Sequence, residues 1–276
     1  MQRCVREQGG ERDFRMIGAI AGDIIGSVYE HSPIKTKAFA LLHPRCRFTD
    51  DTVLTIAVAE AILSGRPYAD ALRDLGRRYP HAGYGGLFLQ WLYAEHPVPY
   101  ESWGNGAAMR VSPVGFAFET REDVLRQAAA TAAPTHNHPE GIRGAQATAL
   151  AVFLARTGTP KEEIRRDIEE SFGYDLGRTV SEIRPAYRFD VSSQGTVPEA
   201  LIAFFDSDSW EDAVRNAISL GGDSDTLACI TGGIAEAFYG PPPDVVCRKV
   251  RETLTEDLWE IVDRFTKRYP GSRPWH

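Results

Sequence analysis

The chain has 276 residues, 43% of them hydrophobic and 25% charged, which is typical of a globular protein able to bury a core unaided. A net charge of −7 without any Lys/Arg-rich run gives no electrostatic signal for nucleic-acid binding. No apolar run reaches the roughly 18–20 residues of a membrane span. Four scattered cysteines without a C-x-x-C pair exclude a zinc ribbon and a disulfide framework, and we expect a reduced, cytoplasmic protein.

Residues 1–15 are polar and lack the apolar stretch of a signal peptide, so we interpret them as a loose N-terminal extension. An apolar segment begins at Met16. From there to the C-terminus, apolar residues recur mainly at helical spacing. They predict helices, in chain order, over residues 53–63, 122–133, 142–156, 161–170, 198–205, 211–219, 226–239 and 244–267.

Signals for β-strands are sparse, although residues 187–191 could pair locally. No linker or low-complexity segment divides the chain. Several predicted helices lack a polar face, which indicates burial on all sides within a large bundle. The sequence therefore predicts an all-α fold, a single domain of many helices over residues 16–276.

Two acidic clusters each precede a predicted helix and combine two carboxylates with a hydroxyl. The first contains Thr49, Asp50 and Asp51, and the second, after two glycines, reads Asp-Ser-Asp-Thr over residues 223–226. Either cluster alone fits a helix cap, which needs only one side-chain oxygen. Four carboxylates brought together would repel one another unless cations neutralised them. A site for two metal ions about 3.5–4 Å apart, bound by oxygen ligands, fits both clusters, and capping stays the alternative.

Two glycine-rich loops, residues 83–86 and 104–106, allow a ligand to approach the backbone closely. Such loops at helix starts can bind phosphates through backbone N–H groups, whereas a plain turn is the alternative. His136 and His138 suggest zinc, but no third ligand lies at zinc spacing. A role for His136 close to the substrate is therefore favoured.

Four segments in this order resemble the ADP-ribosylglycohydrolase family, which includes the dinitrogenase reductase-activating glycohydrolases. They are residues 22–30 (GDIIGSVYE), 48–52 (FTDDT), 104–110 (GNGAAMR) and 219–226 (SLGGDSDT). The resemblance implies an orthogonal helical bundle with a central cleft for two Mg²⁺ or Mn²⁺ ions. It also implies a hydrolase that cleaves the glycosidic bond between ADP-ribose and an acceptor, which we expect to be a protein.

The same resemblance assigns roles to individual residues. It implies these metal ligands: Thr49, Asp50, Asp51, Asp223, Asp225 and Thr226. It places these residues around ADP-ribose: Gly83, Gly85, Gly86, Ser102, Gly104, Asn105, Gly106, Met109 and His136. Glu30 matches the gating glutamate of the serine-specific branch and favours oxygen-linked acceptors. Proton transfer would fall to Glu30 or to a ligand aspartate such as Asp50 or Asp223.

Three alternatives remain open from the sequence. The segment 136–141 departs from the serine-specific branch, so an arginine-linked acceptor is one of them. A module that binds ADP-ribose without cleaving it is another. Residues 223–226 also fit, superficially, the D-x-D-x-T motif of haloacid dehalogenase-like phosphatases. That motif should follow a buried β-strand, but here it follows a predicted helix and two glycines.

Overall fold

The computed structural model describes residues 15–270, and these residues form a bundle of fifteen helices. Within that range no β-strand is present, only an isolated antiparallel bridge between Gly104 and Ser192. The all-α prediction is thus confirmed. The helices are α1 (Ile17–Gly26), α2 (Asp50–Ser64), α3 (Tyr68–Arg78), α4 (Gly86–Tyr93), α5 (Gly106–Met109), α6 (Ser112–Ala117), α7 (Arg121–Ala132), α8 (Pro139–Arg156), α9 (Lys161–Phe172), α10 (Val180–Ile183), α11 (Ser193–Phe205), α12 (Trp210–Ser219), α13 (Ser224–Tyr239), α14 (Asp244–Thr253) and α15 (Glu256–Arg268).

All eight predicted segments are helical, but the bounds of two were wrong. The stretch 244–267 is two helices, because Leu254 is buried in an extended conformation between α14 and α15. The new helix then begins with Glu256 and Asp257, acids that suit a helix N-terminus. The segment predicted to start at Pro198 begins at Ser193 instead, because the Ser192 side chain accepts a hydrogen bond from the backbone N–H of Gly195 and caps α11.

The ends of the described chain bear on the predicted N-terminal extension. Arg15 was counted with that extension, but it is buried and its backbone N–H donates to Thr266 Oγ1 at 3.1 Å. Residues 1–14, the rest of the predicted extension, lie outside the described residues. Cys46, Cys229 and Cys247 are free thiols. None of the described helices combines the length and the apolar character that crossing a membrane would require.

Helix α13 lies at the centre of the bundle. Fourteen of its sixteen residues are buried. It packs against α1, α8, α11 and α12, which surround it with apolar side chains. A helix enclosed in this way needs no polar face, which explains its continuous run of small and apolar residues. Its buried polar residues are concentrated at its N-terminal end, which opens on the functional site, with Thr231 and Glu236 further along the helix.

Three glycines of α1 allow this helix to lie directly on α13. Gly18, Gly22 and Gly26 recur every four residues and therefore share one face of α1. A Cβ atom at Gly22 would lie 2.0 Å from the carbonyl oxygen of Ala228, and one at Gly26 would lie 2.4 Å from that of Ser224. Because both obstacles are backbone atoms, only glycine fits. The close contact brings the C-terminal end of α1 beside the N-terminal end of α13.

Candidate active site

A cleft of about 370 Å³ lies at the N-terminal ends of α2 and α13, within the size range of small-molecule sites. Every predicted site residue except Thr49 lines it: Glu30, Asp50, Asp51, Gly83, Gly85, Gly86, Ser102, Gly104, Asn105, Gly106, Met109, His136, Asp223, Asp225 and Thr226. No role is predicted from the sequence for the other lining residues, which are Leu54, Leu87, Phe88, Tyr100, Arg110, Phe189 and Val191. Residues from distant parts of the sequence therefore meet in one cleft.

The first acidic cluster combines a helix cap with free carboxylates. Thr49 is the N-cap of α2, where its Oγ1 accepts a hydrogen bond from the Asp51 backbone N–H at 3.3 Å. The capping alternative is therefore correct for Thr49, and its role as a metal ligand stays a prediction. Asp51 Oδ2 is buried without a hydrogen-bond partner. Such an oxygen is costly to bury unless another group compensates it, and an oxygen-binding cation would do so.

In the second acidic cluster, Asp225 Oδ1 accepts a hydrogen bond from the Thr226 backbone N–H at 3.0 Å, in the first turn of α13. Asp223 occupies the N-cap position of α13, yet its side chain makes no capping hydrogen bond. Instead, Asn105 Nδ2 donates to Asp223 Oδ2 at 2.8 Å, which holds the carboxylate toward the cleft. The Thr226 hydroxyl donates to Asp51 Oδ1 at 3.4 Å and so links the two clusters.

Glu30 belongs to the same group of carboxylates. One carboxylate oxygen each from Glu30, Asp223 and Asp225 lies within 4.8 Å of the other two. Glu30 lies in the loop after α1, and Nδ1 of the neighbouring His31 is 3.6 Å from Glu30 Oε1. Glu30 therefore lies in a group of acids capable of holding a cation. The sequence predicted a role in proton transfer for it.

Asp23 is a supporting residue that the sequence analysis missed. It is fully buried in α1 and accepts hydrogen bonds from Thr49 N at 2.9 Å, Thr49 Oγ1 at 2.7 Å and Thr52 N at 3.1 Å. The Thr52 hydroxyl donates to it as well. Asp23 therefore fixes the start of α2 against α1. A lone acid inside an otherwise apolar ten-residue helix was the signal that could have identified it.

The carboxylates of the cleft repel one another. Burial raises the pKa of Asp50 to about 8, with the charges of Asp23 and Asp223 adding to the effect. Burial also raises the pKa of Asp51 well above its ordinary value, and the charge of Asp225 raises it further. Without cations such a group retains protons at neutral pH. Carboxylate and hydroxyl oxygens, one of them without a partner, are a donor set that fits Mg²⁺ or Mn²⁺.

The glycine-rich loops form the walls of the cleft. Gly83 has a φ of 114°, a left-handed conformation that favours glycine, and a Cβ there would lie 3.3 Å from Asp50 Oδ1. Gly85 and Gly86 follow at the N-terminal end of α4, where backbone N–H groups are free of helical partners. Space for a Cβ is open at both positions. This wall suits an anionic group such as a phosphate.

Comparisons with known proteins show which proteins the chain resembles. The family model described as ADP-ribosylglycohydrolase matches residues 15–274. The ADP-ribosylhydrolase ARH3 of Mus musculus is 27% identical, and the match covers 82% of each chain. The ADP-ribosylarginine hydrolase Tri1 of Pseudomonas putida is 26% identical over 84% of this chain and 72% of that protein. A solved structure titled ADP-ribosylglycohydrolase-related protein complex superposes with a TM-score of 0.71 and 26% identity, covering 94% of this chain and 99% of that chain.

Proposed function

Because the chain belongs to the ADP-ribosylglycohydrolase family, we propose that it hydrolyses the bond between ADP-ribose and an oxygen-linked acceptor, using two Mg²⁺ or Mn²⁺ ions. The observation that carries this proposal is the proximity of the Glu30, Asp223 and Asp225 carboxylates in the cleft. The relatives' names include a hydrolase of ADP-ribosylarginine, so an arginine-linked acceptor is the competing candidate.

The residues proposed to hold the metal ions come from both acidic clusters. They are Thr49, Asp50, Asp51, Asp223, Asp225 and Thr226. When bound, two such ions would neutralise the carboxylates, bind substrate oxygens and lower the pKa of a bound water. Asn105 keeps Asp223 oriented through its 2.8 Å hydrogen bond. The partnerless Asp51 Oδ2 supports this ligand set.

Glu30 is proposed to supply the proton that the leaving group needs. Cleavage of a ribosyl bond passes through an oxocarbenium-like state, and a departing alkoxide must be protonated. Burial raises the pKa of Glu30, the charge of Asp223 adds to this, and His31 and Arg47 partly oppose it. Glu30 therefore keeps its proton to a higher pH than an exposed glutamate would. That property suits a general acid beside an oxygen leaving group.

The proposal is tested by measuring the rate of ADP-ribose release from two matched peptides. One peptide carries serine-linked ADP-ribose and the other arginine-linked ADP-ribose, and each is assayed with Mg²⁺ and with Mn²⁺. We expect wild-type protein to release ADP-ribose faster from the serine-linked peptide. Glu30→Gln should slow this by roughly 10²–10⁴-fold, the usual contribution of general acid catalysis, and leave ADP-ribose binding nearly unchanged. Glu95→Gln is the matched control, because Glu95 is exposed and does not line the cleft.

Three outcomes would contradict parts of the proposal. Faster cleavage of the arginine-linked peptide would reverse the acceptor preference. A harmless Glu30→Gln substitution would remove Glu30 from proton transfer and leave the family assignment intact. Binding of ADP-ribose without turnover of either peptide would indicate a binding module.

A further inference from the structure

A row of buried hydrogen bonds runs behind one wall of the cleft. The guanidinium of Arg110 is fully buried, and its Nη2 donates to the Thr131 carbonyl oxygen at 2.7 Å and to Thr135 Oγ1 at 2.8 Å. Thr135 Oγ1 in turn lies 2.8 Å from Nδ1 of His136. Thr135 is also buried, and His136 is 6% exposed. The three side chains therefore connect a buried cation to a ring at the cleft surface.

Counting protons shows how these groups pair. A guanidinium can only donate, so Thr135 Oγ1 accepts from Arg110. Thr135 then gives its single proton to His136 Nδ1. This arrangement gives the Thr135 proton an acceptor, whereas the reverse direction would leave that proton without a partner among the described residues. Nε and Nη1 of Arg110 make no hydrogen bond in either case.

Electrostatics favour the same arrangement. A lone pair on Nδ1 facing the guanidinium is more stable than an N–H dipole pointing toward it. Burial and the charge of Arg110 also lower the pKa of His136 well below its ordinary value, so the ring is neutral. A neutral ring that accepts at Nδ1 carries its proton on Nε2.

The other ring nitrogen faces the cleft. A Cβ atom at Gly106 would lie 2.9 Å from Nε2 of His136, and one at Gly104 would lie 3.7 Å away, so Nε2 is at the wall formed by residues 104–106. No described residue accepts a hydrogen bond from Nε2, although His136 lines the cleft. Nε2 thus lies at the wall of the cleft and is available to a ligand there.

We infer that Arg110 and Thr135 are positioning residues that fix His136 as a neutral donor, with its proton on Nε2 directed at a phosphate or hydroxyl oxygen of the ligand. The identity of that ligand as ADP-ribose rests on the proposed function. The fixed tautomer rests only on the hydrogen bonds of the free protein. The two statements can therefore fail separately.

The tautomer can be measured directly by NMR of the protein labelled with ¹⁵N-histidine. The signal of His136 is assigned by its loss in His136→Gln. In wild-type protein we expect Nε2 to carry the proton and Nδ1 to show the shift of an accepting nitrogen. Thr135→Ser keeps the hydroxyl and should keep this pattern, whereas Thr135→Val should give a mixture of tautomers. A proton on Nδ1 of the wild-type ring would overturn the inference without any variant.

Binding of ADP-ribose in the presence of Mg²⁺ gives the second readout. Loss of the fixed donor in Thr135→Val should weaken binding roughly three- to tenfold, the usual effect of one hydrogen bond, and Thr135→Ser should stay near wild type. Thr148→Val is the matched control, because Thr148 is equally buried in α8, its hydroxyl has no partner and it does not line the cleft. Unchanged tautomer and affinity in Thr135→Val would overturn the inference. Absence of ADP-ribose binding in wild-type protein would instead contradict the proposed function.

Discussion

Adding one methyl group at Gly22 should separate the two helices that support the metal cluster. The new Cβ would lie 2.0 Å from the Ala228 carbonyl oxygen, where ordinary contacts begin at 3.4 Å. Because the obstacle is the backbone of α13, no side-chain rotation can relieve the clash. The helices would have to move apart by more than an ångström along their closest line of contact.

The size of the effect follows from two opposing contributions. Overpacking a core usually costs 1–3 kcal/mol, and a clash with backbone belongs at the upper end, about 3 kcal/mol. Alanine is better than glycine inside a helix by about 1 kcal/mol, which offsets part of this cost. A net loss of about 2 kcal/mol corresponds to a decrease in melting temperature of roughly 4–8 °C for a chain of this size.

Thermal melts of Gly22→Ala followed by circular dichroism measure this loss. Gly76→Ala in α3 is the matched control, since the three atoms nearest to its Cβ would be the methyl groups and Cγ of the flexible Leu92 side chain, the nearest at 2.9 Å. Those atoms can shift, so we expect a change within roughly 2 °C. A Gly22→Ala melting temperature equal to that of wild type would refute the claim that backbone contact between α1 and α13 is required.

Three further predictions concern the carboxylates. EDTA should abolish turnover and lower the melting temperature, and adding Mg²⁺ or Mn²⁺ should restore both. Full activity of protein from which all metal has been removed would contradict the metal proposal. Asp225→Asn keeps the size of the side chain but removes its charge, so turnover should drop by orders of magnitude while the helical circular dichroism stays constant; near-wild-type turnover would leave Asp225 only a structural role at the start of α13. Burial raises the pKa of Asp50 from 3.8 to about 8. Between pH 3.8 and about 8 the metal-free folded state therefore binds more protons than the unfolded state. Its free energy of unfolding should fall as the pH rises through this range. Melting temperatures across the window check this, and Asp50→Asn should flatten the slope.

Helical periodicity predicted those helices that have one apolar face or a long apolar run. The apolar segment that begins at Met16 was noted but was not assigned as helix α1, because all ten residues of that helix are buried and no polar face marks a helical period. Helix α3 is different. Its buried residues, Ala71, Leu72, Leu75 and Gly76, follow helical spacing, so this helix could have been predicted. The break at Leu254 could not, because it depends on which side chains the rest of the bundle buries.

The candidate site divides in the same way. The acids of residues 49–51 and 223–226 stand out locally, since each cluster is concentrated beside a helix start. Arg110 and Asp23 act through partners far away in sequence, and no local pattern reveals those partners. Their roles became visible only when the fold placed Arg110 against Thr135 and Asp23 against Thr49.

The direct contact between α1 and α13 also bears on how the chain is made. Gly18 in α1 donates its backbone N–H to Glu236 Oε2 in α13 at 2.8 Å, across a separation of 218 residues. During synthesis, α1 leaves the ribosome long before α13 exists, so the part of its surface that packs on α13 has no native partner for most of translation. The carboxylates from α2 and α13 cannot meet until that late contact forms. We therefore expect metal binding to appear only after nearly all of the described chain has been synthesised, as one of the last steps of folding.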